Sequence, residues 1–231
     1  MLKIRKSEDR GKANHGWLTS RHTFSFADYS DSEHMGFGAL RVINEDLVAP
    51  GKGFPTHAHN NMEIFSYLIS GELAHKDSMG NGRTIHTGEL QAISAGTGIT
   101  HSEFNPSSEK DAHFLQIWIV PNEKNLAPSY SEWKPDKSTE KLLTLLASPD
   151  ARDGSMKVNQ DVFLYLANFK SNQSIEHKTS TDRRMWLQLI EGAIIVNEKQ
   201  ISSGDGVAIT EEESLEILSI SEGRYLLFDL A

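Results

Sequence analysis

The 231-residue sequence predicts an all-β protein folded as two small barrels. Short apolar runs recur along the whole chain, separated by Gly, Asn, Asp and Pro, which is the pattern of short strands joined by turns. Helical periodicity is weak. The two halves also repeat one another's turn signals, as expected of a duplicated unit.

In the first half the strand-like runs are Ala39 to Ile43, Ile64 to Ile69, Leu90 to Ser94 and Phe114 to Val120. In the second half they are Val162 to Ala167, Met185 to Ile190, Ala193 to Val196 and Tyr225 to Leu230. Lys137 to Ala147 is expected to form one short helix. Val120 to Pro128 has two prolines and no apolar rhythm and reads as the linker. This divides the chain into a first barrel over 1–125 and a second over 126–231. The repeat aligns Tyr67-Leu68-Ile69-Ser70-Gly71 with Gln188-Leu189-Ile190-Glu191-Gly192. It also aligns Thr87-Gly88-Glu89 with Ser203-Gly204-Asp205.

Composition narrows the function. Lys and Arg total 23 against 32 Asp and Glu, a net charge of −9, with no basic block to meet phosphates, so nucleic acid is not an expected partner. No apolar run approaches the ~20 residues of a membrane span. The first ten residues are charged throughout and lack a signal-peptide core. The absence of cysteine excludes disulfides and thiolate metal sites. A cytoplasmic monomer is the expectation.

Two short patterns carry chemistry: His57-Ala58-His59 and His101-Ser102-Glu103. On a strand, residues i and i+2 share a face. Two such strands side by side would bring three imidazoles and a carboxylate together, a set suited to a divalent transition metal. With ten histidines in the chain, a lone His-x-His pair is more often an accident. The context favours ligation: Gly51 and Gly53 precede the first pair, Ala95-Gly96-Thr97-Gly98 precedes the second, and Asn105 follows. Open coordination positions would make such a site catalytic rather than structural.

The order of these glycine-bounded histidine motifs resembles the two motifs of the cupin superfamily, and narrows to the pirin family. His22-Thr23-Phe24-Ser25-Phe26, Gly36 to Asn44, His75-Lys76-Asp77-Ser78 and Ser94 to Ile99 all look like pirin blocks. Ser148 to Ser155 extends the likeness, most closely to the bacterial pirin-like quercetinases. The resemblance implies a bicupin, two cupin-like jelly-roll barrels with few short helices and a metal in the first barrel only. It implies the ligands His57, His59, His101 and Glu103, whereas cupins generally use the first-motif acid, here Glu63. In the second half the aligned positions are Lys178 and Ser180 for the first pair, Ile217 and Ser219 for the second.

The implied activity is that of a quercetin 2,3-dioxygenase, cleaving quercetin or a related flavonol with dioxygen and releasing carbon monoxide. Iron heads the implied metals, with copper, nickel, cobalt, manganese and zinc as alternatives. Three neutral imidazoles and one carboxylate leave a divalent ion a residual positive charge, which favours an anionic flavonol oxygen. Glu103 would be both ligand and acceptor of the substrate's hydroxyl proton. The alternative implied by the family is a metal-binding regulator that contacts transcription or metabolic partner proteins. Of the other residues, Phe54, Met62, Phe104, Phe114 and Trp118 could line an aromatic pocket. Glu63 reads as an exposed strand carboxylate or a partner to a ligating histidine, and the remaining histidines, His75 among them, as surface or packing residues.

Overall fold

A computed structural model describes residues 1–136 and 141–231. The first strands are β1 (Leu2–Arg5), β2 (Gly11–Asn14), β3 (Leu18–His22), β4 (Leu40–Val48), β5 (Gly53–His59), β6 (Glu63–Ser70), β7 (Glu72–Asp77), β8 (Gly82–His86), β9 (Leu90–Ser94), β10 (Ile99–Phe104), β11 (Ala112–Ile119) and β12 (Ser129–Trp133). They continue as β13 (Leu143–Ser148), β14 (Met156–Lys157), β15 (Val162–Phe169), β16 (Ser174–Lys178), β17 (Arg184–Glu191), β18 (Ala193–Val196), β19 (Lys199–Ser202), β20 (Gly206–Thr210), β21 (Ser214–Ser219) and β22 (Gly223–Leu230). Helix among the described residues is confined to two 3-10 turns, Ser7–Asp9 and Arg152–Gly154. The protein is an all-β bicupin.

In the N-terminal barrel a seven-stranded sheet, β12-β9-β6-β11-β4-β3-β2, is accompanied by a four-stranded sheet, β5-β10-β7-β8. The C-terminal barrel repeats this with β1-β20-β17-β22-β15-β13-β14 and β16-β21-β18-β19. The turns repeat too. Gly71 ends β6 with φ +84° and Gly192 ends β17 with φ +92°. At either position a Cβ would run into a backbone carbonyl, that of Asp111 or of Glu222, so glycine is required for the approach as well as for the dihedral.

The compact units are Gly11–Pro135 with Val158–Gln160, and Met1–Arg10 with Asp136–Lys157 and Asp161–Ala231. They differ from a plain cut at 125/126. Residues 120–128 hold no strand, as expected of a linker, but β12 beyond them pairs with β9, Ser129 opposite Ser94. At the other end β1 pairs with β20 of the C-terminal barrel, Leu2 opposite Ile209. The expected helix is also corrected. Leu143–Ser148 is β13, antiparallel to β15 with Leu143 opposite Ala167; Lys137 to Glu140 lie outside the described residues. Clustered leucines there fit either period, and β15 supplies the partner strand that decides for sheet.

The interiors differ. The C-terminal barrel has a continuous apolar cluster that includes Leu187, Val207, Leu215, Ile217, Tyr225 and Leu227. The N-terminal barrel carries a polar row instead. Gln91, Ser66, Gln116, Asn44 and His22 stand directly opposite one another across β9, β6, β11, β4 and β3. Leu68 and Phe114 belong to an apolar cluster on one side of this row, Ile64 and Ile93 to another on the other side. The same row in the C-terminal barrel reads Val207, Leu187, Leu227, Tyr165 and Leu145.

Candidate metal centre

β5 and β10 pair antiparallel, as the two motifs require, with His101 directly opposite His57. A bulge between His101 and Glu103 then shifts the register so that Glu103 faces Phe54. Gly53 permits this: a Cβ there would collide with the Glu103 carbonyl and the Phe104 Cα. The ligand atoms of His57, His59 and His101 all lie within 4.8 Å of one another.

Hydrogen bonds fix which nitrogens are free. His57 Nδ1–H donates to the Pro55 carbonyl at 2.8 Å, which leaves Nε2 with its lone pair. Behind His101 stands buried His75, whose Nε2 lies 3.1 Å from Asp77 Oδ2. A carboxylate there takes the Nε2–H, and in the neutral ring that makes His75 Nδ1 an acceptor. It faces His101 Nδ1 at 3.4 Å and takes that proton, which frees His101 Nε2. Burial works against the Asp77 charge, but hydrogen bonds from Asn81 and His75 hold its carboxyl below the usual range. The Nε2 atoms of His57 and His101 face each other at 3.1 Å. A proton or a metal ion between the two nitrogens satisfies such a contact, and three imidazoles this close are a donor set that fits a divalent ion. Burial, reinforced by the neighbouring imidazoles, pushes His59 down to about 4 and His101 to about 3, so both are neutral near pH 7.

Glu103 is 1% exposed and held by three donors. Ser66 Oγ (3.1 Å) and Gln91 Nε2 (2.5 Å) reach Oε1, and Gln116 Nε2 reaches Oε2 at 2.9 Å. These bonds turn the carboxylate toward the polar row. It therefore falls in a second group, with His75 and His101, which overlaps the three-histidine group through His101. Of the four expected ligands the structure gathers three and sets the fourth beside them.

The site opens into a cavity of about 770 Å³ lined by Trp17, Phe26, Tyr29, Phe54 and Trp118 among others, with His57, His59 and Glu103 on its wall. Trp118 meets His59 edge-on at 5.0 Å and Phe26 at 5.5 Å. Of the expected pocket residues, Phe54 and Trp118 line the cavity. Phe114 is buried in the core, Met62 packs against the Ile64 cluster, and Phe104 is 39% exposed. Glu63 is neither exposed nor beside a ligand. It is buried and accepts from Ser94 Oγ at 2.7 Å and from the Asn159 backbone N–H at 3.1 Å, a clamp on the 158–160 segment.

Sequence reasoning missed Ser66, Gln91 and Gln116, which lie on three strands with no local motif. It passed over His75 and Asp77, although their i,i+2 spacing repeats that of the ligand pairs. The aligned positions of the second half are corrected as well. Counting from the hairpin glycines, Glu103 opposite His75 corresponds to Ile217 opposite Val196, and His101 opposite His57 to Leu215 opposite His177. The alignment slipped because the hairpins differ in length and β21 lacks the bulge. His177 is bound instead to Asp229, with Nε2 3.2 Å from Oδ2.

Comparison with known proteins agrees with this architecture. The family model described as Pirin matches residues 3–119. This chain belongs to the pirin family. A second model, quercetinase C-terminal cupin domain, matches residues 145–230 of the pirin chain. A quercetin 2,3-dioxygenase of Escherichia coli (strain K12) is 49% identical over 231 residues, covering 100% of this chain and 99% of that protein. The crystal structure of YhhW from Escherichia coli superposes with a TM-score of 0.98 at 47% identity, covering 100% of this pirin and 98% of that chain. The bacterial pirin YhhW in complex with nickel(II) gives 0.96 at 46% identity, covering 100% and 99%. No helix among the described residues is long and apolar enough to cross a membrane.

Proposed function

We propose that the protein is a cytoplasmic metal-dependent dioxygenase that cleaves quercetin or a related flavonol with dioxygen and releases carbon monoxide. The observation that carries the reading is the convergence of His57, His59 and His101 beside a large aromatic cavity whose wall includes His57 and His59. In this proposal the three imidazoles and Glu103 hold one divalent ion. A bound ion would polarise and acidify a coordinated hydroxyl. Glu103 takes the proton of that hydroxyl, and Gln91, Ser66 and Gln116 hold its carboxylate in place before and after. Trp17, Phe26 and Trp118 offer apolar faces to flat rings and keep water from them. The names of the relatives support the substrate, and the nickel complex of YhhW supports a divalent ion.

The test is an aerobic assay with quercetin on protein of measured metal content. Loss of the long-wavelength flavonol absorbance with release of carbon monoxide is expected. Absence of turnover after restoring iron, nickel, cobalt, copper or manganese in turn would overturn the proposal in favour of a regulator that binds partner proteins.

A further inference from the structure

The cavity wall carries a buried carboxyl that the proposed function leaves unused. Asp46 lies on β4, two residues beyond Asn44, and lines the cavity while being only 4% exposed. Ser20 Oγ donates to its Oδ1. Among the described residues nothing donates to Oδ2, and no Lys or Arg pairs with the carboxylate. A buried acid with one oxygen unfilled is costly. Burial, aided by the nearby Glu103 charge, raises this carboxyl to about 7. The corresponding position of the C-terminal barrel, opposite Tyr225 as Asp46 is opposite Phe114, is Ala167, so the fold itself does not require an acid. Asn44 stands opposite Gln116, which holds Glu103. Strand geometry then puts Asp46 about 8 Å from Gln116, one strand over and two residues along. Trp17, Phe26 and Tyr29 supply ring faces on the same cavity wall.

We propose that Asp46 is a ligand anchor, whose free carboxylate oxygen accepts a hydroxyl hydrogen from the end of a flat polyhydroxylated aromatic lying away from the histidine cluster. The cavity thereby selects phenolic ligands that carry a donor at that end. The inference rests on the flavonol reading and narrows its substrate class.

The experiment is direct binding to the metal-loaded protein at pH 8, read by quenching of tryptophan fluorescence, with quercetin and with 3-hydroxyflavone. The second keeps the oxygens that would meet the metal and carries no other hydroxyl. Wild type is expected to bind quercetin at least tenfold more tightly. Asp46→Leu should bring the two within about twofold while leaving 3-hydroxyflavone unchanged, with near-UV circular dichroism reporting the fold. Should that variant misfold, the near-isosteric Asp46→Asn, which keeps the Ser20 bond but loses the charge, should still lose at least threefold of the preference. An unchanged preference in a folded variant, or no binding of either compound by wild type, overturns the anchor. Selective binding without turnover would sink the dioxygenase proposal and leave the anchor standing. Turnover with undiminished selectivity in Asp46→Leu would do the reverse.

Discussion

The two barrels share a strand order and hairpin glycines, yet they differ at nearly every position that touches the candidate centre. His101, Glu103 and His75 in the first are Leu215, Ile217 and Val196 in the second. Gln91, Ser66, Gln116 and Asn44 are Val207, Leu187, Leu227 and Tyr165. One frame thus carries either an apolar interior or a polar seam with the candidate ligands above it. Turns and alternation set the frame, while a single cross-strand row and the strands opposite it set the chemistry. His177 is the exception: it keeps the residue type of His57 but is tied to Asp229, a carboxyl held low, against its burial, by hydrogen bonds from His177 and Arg183.

Transplanting residues from the second barrel into the first, or neutralising a charge that the second barrel lacks, sharpens the comparison. The largest effect is expected for His101→Leu. It removes the nitrogen shared by both ligand groups, so stoichiometric metal should vanish by elemental analysis while the far-UV spectrum of the sheets persists.

Asp46→Asn should act next, on stability. The folded pKa of Asp46, about 7, lies above the ordinary 3.8. Between those values the folded chain holds a proton that the unfolded chain lacks, so stability falls as pH rises through the window. The variant should therefore match wild type near pH 4 and exceed it by about 4 kcal/mol near pH 8, measured by urea denaturation. A constant difference across that range would mean that Asp46 is already ionised throughout.

His75→Val should cost about 10–100-fold in metal affinity by competition with a chelator, because His101 loses the acceptor that selects its tautomer. His75→Gln, whose amide oxygen can accept the same proton, should recover part of it. The smallest effect belongs to Phe104→Leu, the residue of the matching position 218. Both side chains are largely exposed, and stability should change by less than about 0.5 kcal/mol with metal content unaltered.

Much of this was legible in the sequence. Alternation and glycine punctuation read as strands, and β9 and β18 were delimited to the residue. The ligand pairs stood out because i,i+2 spacing on neighbouring strands is local information. Glu103's donors were not legible: Ser66, Gln91 and Gln116 meet only through the register of β6, β9 and β11. Glu63 was misread for a similar reason, since its partner Asn159 is 96 residues away. The β13 segment failed because runs such as Leu142-Leu143 and Leu145-Leu146 satisfy helix and strand periods alike.

The place of β1 bears on how the chain is made. Residues 2–5 are made before the N-terminal barrel, but their partner β20 begins only at Gly206, so this segment waits for about 200 further residues before it can pair. Throughout that interval the N-terminal barrel can close without it, since its own outer strands are β2 and β12. A shortened chain lacking β1 would leave β20 with an open edge, a template for pairing with another molecule. Substitutions that unpair β1 should therefore disturb the C-terminal barrel rather than the N-terminal one that follows it in the chain.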